Sequence, residues 1–517
     1  MQWWEWTLVG IAAFFAGVVL YDLIQSTQPV LRNFPVIGHL RFLLEAVGPE
    51  LRQYIVTDND SEKPFSRDER RWVYNAAARA DSNFGFGTDN DLERSPNYLI
   101  IKHATFPLPE PPMAPPEERN RAGQYPIPCA KVLGAPRGRA KAFRAPSVVN
   151  ISSMSYGSLS AAAVEALNRG AAAAGCMQGT GEGGLTRYHR NGGELLWQIG
   201  TGYFGCRNPD GTFCMERFLD TVAATPELRA IEIKLSQGAK PGLGGILPVA
   251  KINKEIAELR GIPMDFDCLS PPAHSAFHDA DSMLDFVEKL ADATGLPVGI
   301  KSAVGDVGFF RDLAALMARG DRGVDFITID GGEGGTGAGP LVFTDHVAFP
   351  FKVGFSRVYP IFREAGVAEQ IVFVGSGRLG LPENALLAFA LGCDTINVGR
   401  EAMLAIGCIQ ALRCHTGRCP TGVTTNSRWL MHGLDPTNKG NRCANYLVRL
   451  RLELLQLSRA CGELHPSLLT LDHFEIVDDH FSSRPARGVF GYEDGWGVPS
   501  AADQAAITEL MSPHHLA

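Results

Sequence analysis

The hydrophobic pattern begins with an apolar stretch near the N-terminus. Residues 6–21 (WTLVGIAAFFAGVVLY) contain no charged side chain, which is typical of a transmembrane helix. Trp3, Trp4 and Trp6 at one end and Tyr21 at the other are placed like interfacial aromatic residues. At 1.5 Å per residue the stretch covers about 24 Å, less than the roughly 30 Å hydrocarbon core, so flanking residues must help to span it.

A cleaved signal peptide is one alternative to this anchor. The residues before the stretch (MQWWEW) include Glu5 but no Lys or Arg, and no Ala-x-Ala site follows, which disfavours that alternative. Arg32, Arg41 and Arg52 follow the stretch, so the positive-inside rule places the rest of the chain in the cytoplasm. We predict a single-pass membrane anchor over residues 1–24; a buried or peripheral hydrophobic helix is the other alternative.

Residues 25–143 are rich in Arg, Pro and aromatic side chains. The pattern predicts a helix over 40–54, which Gly48 and Pro49 can interrupt, and another over 66–80. A proline-rich run at 107–118 (PLPEPPMAPPEE) predicts extended backbone. We interpret the region as an arm that wraps around the following domain.

From residue 144 to 430, short β-branched runs alternate with Gly-rich loops and Ala/Leu-rich helical stretches. Eight runs alternating with helices predict a (β/α)8 TIM barrel. A doubly wound open sheet is disfavoured because no GxGxxG follows the first run. The remaining residues, 431–517, predict a helix over 445–461 and a polar tail. The eight predicted strands lie within 147–153, 174–180, 230–236, 265–270, 297–303, 325–331, 371–377 and 395–401.

Composition narrows the possible partners and the compartment. The 48 Lys and Arg residues against 56 Asp and Glu give a formal charge of −8, so nothing favours nucleic-acid binding. Eleven cysteines in a long chain do not resemble a disulfide framework and favour a reducing compartment, with some thiolates kept for a cofactor.

Two Gly-rich loops follow the last two predicted strands, GSGRLG (375–380) and VGRE (398–401). In a barrel, the loops at these positions commonly hold a phosphate, such as that of flavin mononucleotide (FMN). Two lysines, Lys234 and Lys301, interrupt apolar strands and are expected to point into the barrel mouth toward an anion. Tight turns and structural ion pairs are the alternative explanations for these two features.

Three cysteines, Cys408, Cys414 and Cys419, form the pattern CxxxxxCxxxxC, followed by Pro420. Six residues on a helix rotate by about 240°, so Cys408 and Cys414 share a face only if a helix ends between them. The spacing fits a three-iron cluster, or a zinc ion completed by His415, and buried free cysteines are an equally good explanation.

Six ordered motifs together resemble the synthase domain of the FMN-binding glutamate synthase family, and more particularly its short membrane-anchored members. The resemblance covers residues 145–430 in motif detail, and the arm and the anchor are also similar. The motifs are MSYGSLS (154–160), QGTGEGG (178–184), KLSQGAKPGLGG (234–245), SPPAH (270–274), DGGEGGTGAGP (330–340) and CHTGRCPTGV (414–423).

The resemblance implies a barrel that holds FMN and a [3Fe-4S] cluster. In the family, 2-oxoglutarate and ammonia form 2-iminoglutarate, which a hydride from the flavin reduces to L-glutamate. Glu182, Lys234 and Arg260 match the 2-oxoglutarate site, and we expect Glu182 and Lys234 to be catalytic. Cys408, Cys414 and Cys419 match the cluster ligands. The matching FMN residues are Met154, Ser155 and Gly157 beside the ring, Gln178 and Lys301 at its polar edge, and Gly375, Ser376, Gly377, Arg378, Gly399 and Arg400 at the phosphate.

The chain departs from the family at three positions near the substrate loop. Leu243 and Ile246 replace a charged and a polar residue, and Ser275 replaces the second histidine of the SPPPHHD motif. The bound carbon skeleton or the nitrogen donor can therefore differ from that of the family.

The sequence also leaves the donors of nitrogen and electrons open. It shows no N-terminal nucleophilic cysteine of a glutaminase and no second Gly-rich dinucleotide fold. We therefore expect free ammonia or a separate glutaminase subunit, and a ferredoxin or reductase that feeds electrons through the cluster. Two other functions stay open: another FMN barrel acting on a different keto or hydroxy acid, and a non-catalytic electron-transfer subunit.

Overall fold

The computed structural model describes residues 2–25, 28–81, 83, 85–110 and 124–512. The chain divides into two compact units, residues 1–71 and 72–517. The boundaries expected at residues 24, 143 and 430 remain predictions. Most of the proline-rich run, from residue 111 onward, lies outside the described residues.

The first unit is helical. Its N-terminal helix is apolar on all sides, and among the described residues it is the one helix long and apolar enough to cross a membrane. The predicted interruption at Gly48 and Pro49 is wrong, because the helix passes through both residues and then widens into a π-helical turn, Arg52–Val56. Pro49 has no N–H to donate to the carbonyl oxygen of Glu45, so the helix passes through it with one hydrogen bond fewer. The helices are α1 (Trp3–Ile24), α2 (Pro29–Asn33), α3 (Gly38–Leu51) and α4 (Arg67–Ala78), the last of which crosses the unit boundary.

Eight parallel strands close into a barrel in the second unit, which confirms the predicted fold class. The described residues form five other strands, which lie outside the barrel. The barrel strands, in spatial order, are β10 (Val372–Ser376), β11 (Thr395–Val398), β2 (Val149–Ile151), β3 (Met177–Gly179), β4 (Glu194–Ile199), β5 (Leu228–Lys234), β8 (Val298–Ala303) and β9 (Phe326–Asp330).

One predicted barrel strand is wrong. The run at 265–270 contributes only β7 (Cys268–Leu269), which pairs antiparallel with β6 (Ile246–Leu247) outside the barrel. The barrel strand that the sequence analysis did not predict is β4, whose residues from Leu195 to Ile199 are all buried. Barrel strands are covered on both faces, whereas Leu269 is 68% exposed, so burial separates the true strand from the false one.

Helices cover the outside of the barrel, except between β3 and β4, where only a short 3-10 turn, Arg187–His189, occurs. The long α15 packs against α5 and begins nine residues before the predicted start at 445. The helices are α5 (Ala161–Ala174), α6 (Met215–Ala223), α7 (Lys254–Arg260), α8 (Ala280–Thr294), α9 (Gly308–Met317), α10 (Leu341–His346), α11 (Phe351–Glu364), α12 (Pro382–Ala390), α13 (Arg400–Ala405), α14 (Arg428–Met431) and α15 (Pro436–Ala460).

A small antiparallel sheet joins the arm to the C-terminal region. In it β1 (Tyr98–Ile101) pairs with β12 (Phe474–Val477), which also pairs with β13 (Ser483–Pro485). Two short helices, α16 (Ala486–Phe490) and α17 (Ala501–Leu510), follow. This part of the arm is therefore fixed by the tail of the chain.

Candidate active site

The chemically active side chains collect at the carboxyl ends of the barrel strands, where barrel enzymes place their sites. Lys234 ends β5 and lies in register with Lys301 on the neighbouring β8. Side chains in register on adjacent parallel strands lie on the same face of a sheet. The two lysines singled out from the sequence therefore share one end of the barrel.

Lys234 binds the carboxylate of Glu182. Its Nζ lies 2.6 Å from Glu182 Oε1 and donates a second hydrogen bond to Gln237 Oε1 at 2.8 Å. Burial alone would raise the pKa of Glu182, but the nearby cations, Lys234 foremost, together lower that pKa below its usual value. Glu182 is therefore a carboxylate near neutral pH, paired with a cation.

Two further cations influence Glu182, Lys240 and Arg260, and both are buried. Burial, reinforced by the charge of Lys234, lowers the pKa of Lys240 to about 8. Arg260 lies with its guanidinium carbon 5.0 Å from the centre of the Phe204 ring and donates to the carbonyl oxygen of Tyr156 at 3.1 Å. Arg260 Nε has no hydrogen-bond partner among the described residues. Three cations thus surround one carboxylate, which favours an anionic ligand.

Lys240 was not singled out from the sequence, although it lies within the KLSQGAKPGLGG motif. Its signal was available, because a lysine in a Gly-rich loop after a barrel strand is placed to meet a ligand. The sequence could not predict that Lys240 is buried, because the loop residues around it carry no periodic pattern.

His274 of the SPPAH motif braces this cluster. One ring nitrogen lies 2.9 Å from the carbonyl oxygen of Lys234 and the other 3.0 Å from the hydroxyl of Tyr203. Burial lowers the pKa of His274 to about 4, so its ring is neutral near pH 7. We interpret His274 as a positioning residue for the end of β5.

Ser275, one of the departures from the family pattern, lines a cavity of about 350 Å³ beside the cluster. The cavity wall includes Thr201 and Gly202, which follow β4 directly. Glu182 lies against the preceding Gly200, since a Cβ at that glycine would lie 2.4 Å from Glu182 Oε2. The replacement at position 275 therefore changes a cavity wall close to the charged cluster.

Lys301 forms a separate ion pair. Its Nζ lies 3.4 Å from Asp330 Oδ2, and both side chains are buried. Burial alone would lower the pKa of Lys301, but the charges of Asp330 and Glu232 raise it. Lys301 is therefore a fixed ammonium inside the barrel mouth.

Glu232 was missed by the sequence reasoning. Its carboxylate accepts hydrogen bonds from Gln198 Nε2 at 2.5 Å and from Thr328 Oγ1 at 2.6 Å, and its side chain is almost fully buried. Glu232 lies two residues before Lys234, so the alternation of β5 places both on the same face. Only closure of the barrel brings the residues of β4, β5 and β9 together.

Only one of the two polar atoms of the Gln178 side chain, on β3, has a hydrogen-bond partner among the described residues. Its Oε1 accepts from Asn168 Nδ2 at 2.9 Å, while its buried Nε2 has no partner among the described residues. Asn168 lies on α5, which packs outside the barrel, so the Gln178 side chain faces that helix. The loop after β2 is close by, because a Cβ at Gly181 would lie 2.4 Å from the backbone nitrogen of Ser155. Met154, Ser155 and Gly157 therefore lie at the same end as Gln178.

The two Gly-rich loops follow β10 and β11, as expected, and bring Arg378 and Arg400 close together. Burial is the main cause that lowers the pKa of Arg400, and the charge of Arg378 lowers it further, against the opposing charge of Glu401. Arg378 has a left-handed backbone with φ of 54°, and such conformations cluster at ligand clamps. Two neighbouring guanidinium groups favour an anion between them.

Two side chains from other segments hold the first of these loops, residues 375–380, in place. The backbone nitrogen of Gly380 donates to Glu401 Oε1 at 3.1 Å, and the hydroxyl of Tyr446 donates to the carbonyl oxygen of Gly380 at 2.8 Å. A side chain at Gly380 would collide with both partners, since a Cβ there would lie 2.4 Å from the Tyr446 hydroxyl. Glu401 and Tyr446 are positioning residues that the sequence did not reveal.

The cysteine pattern lies in a loop, as its spacing required. Helix α13 ends at Ala405, before Cys408, and a 3-10 turn, Cys414–Thr416, precedes Cys419. Lys251 Nζ donates to the carbonyl oxygen of Cys414 at 3.2 Å and also to the carbonyl oxygen of Ser158. The buried Lys251 therefore links the cysteine loop to the loop that follows β2.

All eleven cysteines of the chain are in the thiol form, and none of them forms a disulfide. Within the described residues, the ligand atoms of three His, Cys, Asp or Glu residues all lie within 4.8 Å of one another only at Asp478, Asp479 and His480, near the C-terminus. A single zinc ion with bonds of about 2.3 Å to sulfur needs a set that compact. The three cysteines and His415 do not form one.

The fold and the site together define a (β/α)8-barrel enzyme with a cationic pocket at the carboxyl ends of its strands. A family model described as a conserved region in glutamate synthase matches residues 134–463. The glutamate synthase large subunit-like protein YerD of Bacillus subtilis is 35% identical over 497 residues, which cover 90% of this chain and 94% of that protein. The chain belongs to the glutamate synthase family and is an oxidoreductase of the glutamate synthase type.

Other relatives match over a shorter part of the chain. The archaeal glutamate synthase (NADPH) of Methanocaldococcus jannaschii is 35% identical over 317 residues, which cover 61% of this chain and 59% of that protein. A glutamate synthase large subunit-like protein of Rhizobium meliloti is 31% identical over 334 residues, covering 61% of this chain and 72% of that protein. The match thus spans less than two thirds of the archaeal relative.

Solved structures align only loosely. A flavocytochrome b2 variant with sulfite bound aligns with a TM-score of 0.42 and 12% identity, over 89% of this chain and 90% of that one. A mandelate oxidase with 3,3-difluoro-2-hydroxy-3-phenylpropionic acid aligns with a TM-score of 0.38 and 14% identity, over 71% and 84%. Values this low carry no argument about function.

Proposed function

We propose that this protein catalyses the reductive amination of a 2-oxo acid, namely the conversion of 2-oxoglutarate and ammonia, through 2-iminoglutarate, to L-glutamate. The observation that carries this proposal is the placement of Lys234, Lys240 and Arg260 around Glu182. Three cations and one anion leave two positive charges, which match the two carboxylates of 2-oxoglutarate. The guanidinium of Arg260 can hold one carboxylate through two parallel hydrogen bonds.

FMN is the cofactor that we infer for the barrel. The fixed charge of Lys301 suits the polar edge of a flavin, and the pair Arg378 and Arg400 suits its phosphate. When bound, FMN supplies the hydride that reduces the imine carbon. We assign Met154, Ser155 and Gly157 to the ring, Lys301 to its polar edge, and Gly375, Ser376, Gly377, Arg378, Gly399 and Arg400 to the phosphate.

A [3Fe-4S] cluster held by Cys408, Cys414 and Cys419 is the second cofactor that we infer. Burial alone would raise the pKa of Cys419, but hydrogen bonds from Thr421 and Thr424 lower it. The thiolate is the form that binds iron. By contrast, burial raises the pKa of Cys176 to about 12, as expected for a structural thiol.

The side chains of the pocket prepare the substrates. Arg260 and Lys240 hold and orient the carboxylates, and Lys234 donates to the oxygen that leaves as water when the imine forms. Because the pKa of Glu182 is lowered, Glu182 acts mainly by holding an ammonium ion through its charge, and only weakly as a base. Reduction of the imine consumes two electrons and two protons, and a cluster held by the three cysteines would supply the route by which the electrons enter.

Anaerobic stopped-flow spectroscopy of the dithionite-reduced protein tests this function. We expect rapid flavin reoxidation with 2-oxoglutarate and ammonium together, and L-glutamate as the product. Reduction of the oxidised flavin by a 2-hydroxy acid would instead identify another FMN-dependent barrel oxidoreductase. If a protein that contains both flavin and iron shows neither reaction, the function that remains is that of a non-catalytic electron-transfer subunit.

We further propose that α1 anchors the protein in the membrane, with the barrel in the cytoplasm. The support is the length and apolar surface of α1 and the arginines that follow it. A reporter enzyme active only in the cytoplasm and fused to the C-terminus should be active, and an inactive reporter in an expressed protein would reverse the orientation. We propose separate partners for nitrogen and electrons: a glutaminase subunit or free ammonia, and a ferredoxin or reductase.

A further inference from the structure

Helix α3 carries an exposed apolar stripe. Ile37, which precedes the helix, and Leu40, Leu44, Val47 and Leu51 follow one another at intervals of three and four residues, which places them on one face. All five are exposed, with Ile37 at 74% and Leu40 at 55% of the accessible surface. Contiguous exposed apolar patches on soluble proteins usually mark an interaction surface.

A polar face of α3 borders this stripe. Arg41 and Glu45 form an exposed ion pair with 2.8 Å between Arg41 Nε and Glu45 Oε1. Pro49 and Arg52 continue this side of the helix. A helix with one strongly apolar face and one charged face suits the boundary between water and lipid.

A buried contact fixes the first turn of α3 against the last turn of α1. Asp22, near the end of α1, is fully buried. Its carboxylate accepts from the backbone nitrogen of Val36 and lies 2.9 Å from His39 Nε2. Gly38 packs closely on α2, since a Cβ there would lie 3.1 Å from the Leu31 side chain. Residues 36–39 are therefore held beside the end of the apolar helix.

We propose that α3 lies in the plane of the membrane surface, with Ile37, Leu40, Leu44, Val47 and Leu51 inserted among the lipid headgroups and upper acyl chains. This inference rests on the proposed anchoring by α1. If α1 crosses the bilayer, its last turn lies at the membrane–water boundary, and the Asp22 contact brings the start of α3 to the same depth. The bilayer is then the apolar phase nearest to the stripe.

The arginines near the stripe add to this preference. Arg32 precedes α3, and Arg41 and Arg52 lie beside the apolar face. Cations at the membrane surface attract anionic lipid headgroups. Covering the stripe with a second copy of the chain would leave these charges without such partners, so we commit to lipid as the occupant.

Photo-crosslinking of the full-length protein in liposomes of phosphatidylethanolamine and phosphatidylglycerol tests the inference. A benzophenone amino acid replaces Leu44 on the stripe, or Glu45 on the polar face as the matched control. A third variant replaces Phe14, an exposed residue of α1, and reports on the anchor itself. We expect lipid adducts at positions 14 and 44, and about tenfold fewer at position 45.

The outcomes separate the two proposals. Lipid adducts at position 14, with only protein–protein adducts or none at position 44, would overturn the surface position of α3 and leave the anchor standing. Equal lipid adducts at positions 44 and 45 would also overturn it, because the helix would then show no preferred face. No lipid adducts at position 14 would refute the anchor, and with it the basis of the inference.

Discussion

Lys234 and Lys301 are register partners on adjacent parallel strands, yet they bind different carboxylates. Lys234 pairs with Glu182 at 2.6 Å and Lys301 pairs with Asp330 at 3.4 Å. The first pair belongs to the proposed keto-acid pocket and the second to the proposed flavin edge. The two lysines therefore separate two functions within one end of the barrel, and their variants should give different defects.

Lys234→Met should lower kcat/KM for the keto acid by about a hundredfold, which corresponds to roughly 2.7 kcal/mol of transition-state stabilisation. The cause is the loss of the ammonium beside Glu182, and bound flavin should be retained. Steady-state kinetics and the flavin absorbance per protein measure the two quantities. Lys254→Met, at an exposed lysine on α7, is the control and should behave like the unmodified protein. A Lys234→Met protein with normal kinetics would make the ion pair structural.

Arg260→Ala should raise the KM for the keto acid, because a buried bidentate partner of a carboxylate is worth roughly 2–4 kcal/mol. Arg260→Lys should recover only part of the affinity, since an ammonium cannot make two parallel bonds. Initial rates over a range of keto-acid concentrations give the KM. If KM does not change in Arg260→Ala, the residue serves only to hold the loop at Tyr156.

Binding of the keto acid should weaken as the pH rises through about 8. The pKa of Lys240 is lowered to about 8, so above this pH the pocket loses one positive charge. Titration of the oxidised protein by flavin difference spectra, without ammonium, avoids the ionisation of the amine. The Lys240→Arg protein should bind the keto acid both below and above pH 8, whereas the Lys240→Met protein should bind it weakly on both sides of pH 8. A pH-dependent step that persists in Lys240→Arg would contradict this assignment.

The same lysine should affect stability in a defined direction. Because the pKa of Lys240 is lower in the folded protein than its usual value of 10.5, the unfolded chain binds more protons between about pH 8 and that value. The contribution of Lys240 to the free energy of unfolding should therefore increase with pH across this window. Urea unfolding of the unmodified protein and Lys240→Met at pH 8 and pH 10 measures it; the variant should lack this increment.

Cys414→Ser should lose the iron and its low-temperature EPR signal while keeping much of the FMN, because the flavin contacts assigned above lie on other loops. Cys443→Ser, at a fully buried cysteine with a raised pKa, is the control that should keep the iron. Metal analysis and EPR on anaerobically prepared protein compare the two. Full iron content in Cys414→Ser would refute the cluster assignment.

Much of the architecture follows from local pattern. The apolar run predicts α1, and seven β-rich runs predict seven of the eight barrel strands. The prediction of a barrel strand at 265–270 failed because that run and β4 both contain apolar residues. The sequence of neither segment tells which of its faces other parts of the chain will cover. β4 pairs with β3 and β5, the strands before and after it in the chain, and this pairing is made across loops that carry no periodic pattern.

The sequence by itself determined the barrel, the family and the residue types of the proposed pocket, because short-range periodicity and ordered motifs are written along the chain. Only the tertiary structure decided that Lys240 joins Lys234 and Arg260, that Glu232 meets Gln198 and Thr328, and that Gln178 keeps an unpartnered amide. These relations depend on closure of the barrel and on exclusion of water, and both arise from contacts between segments far apart in the chain.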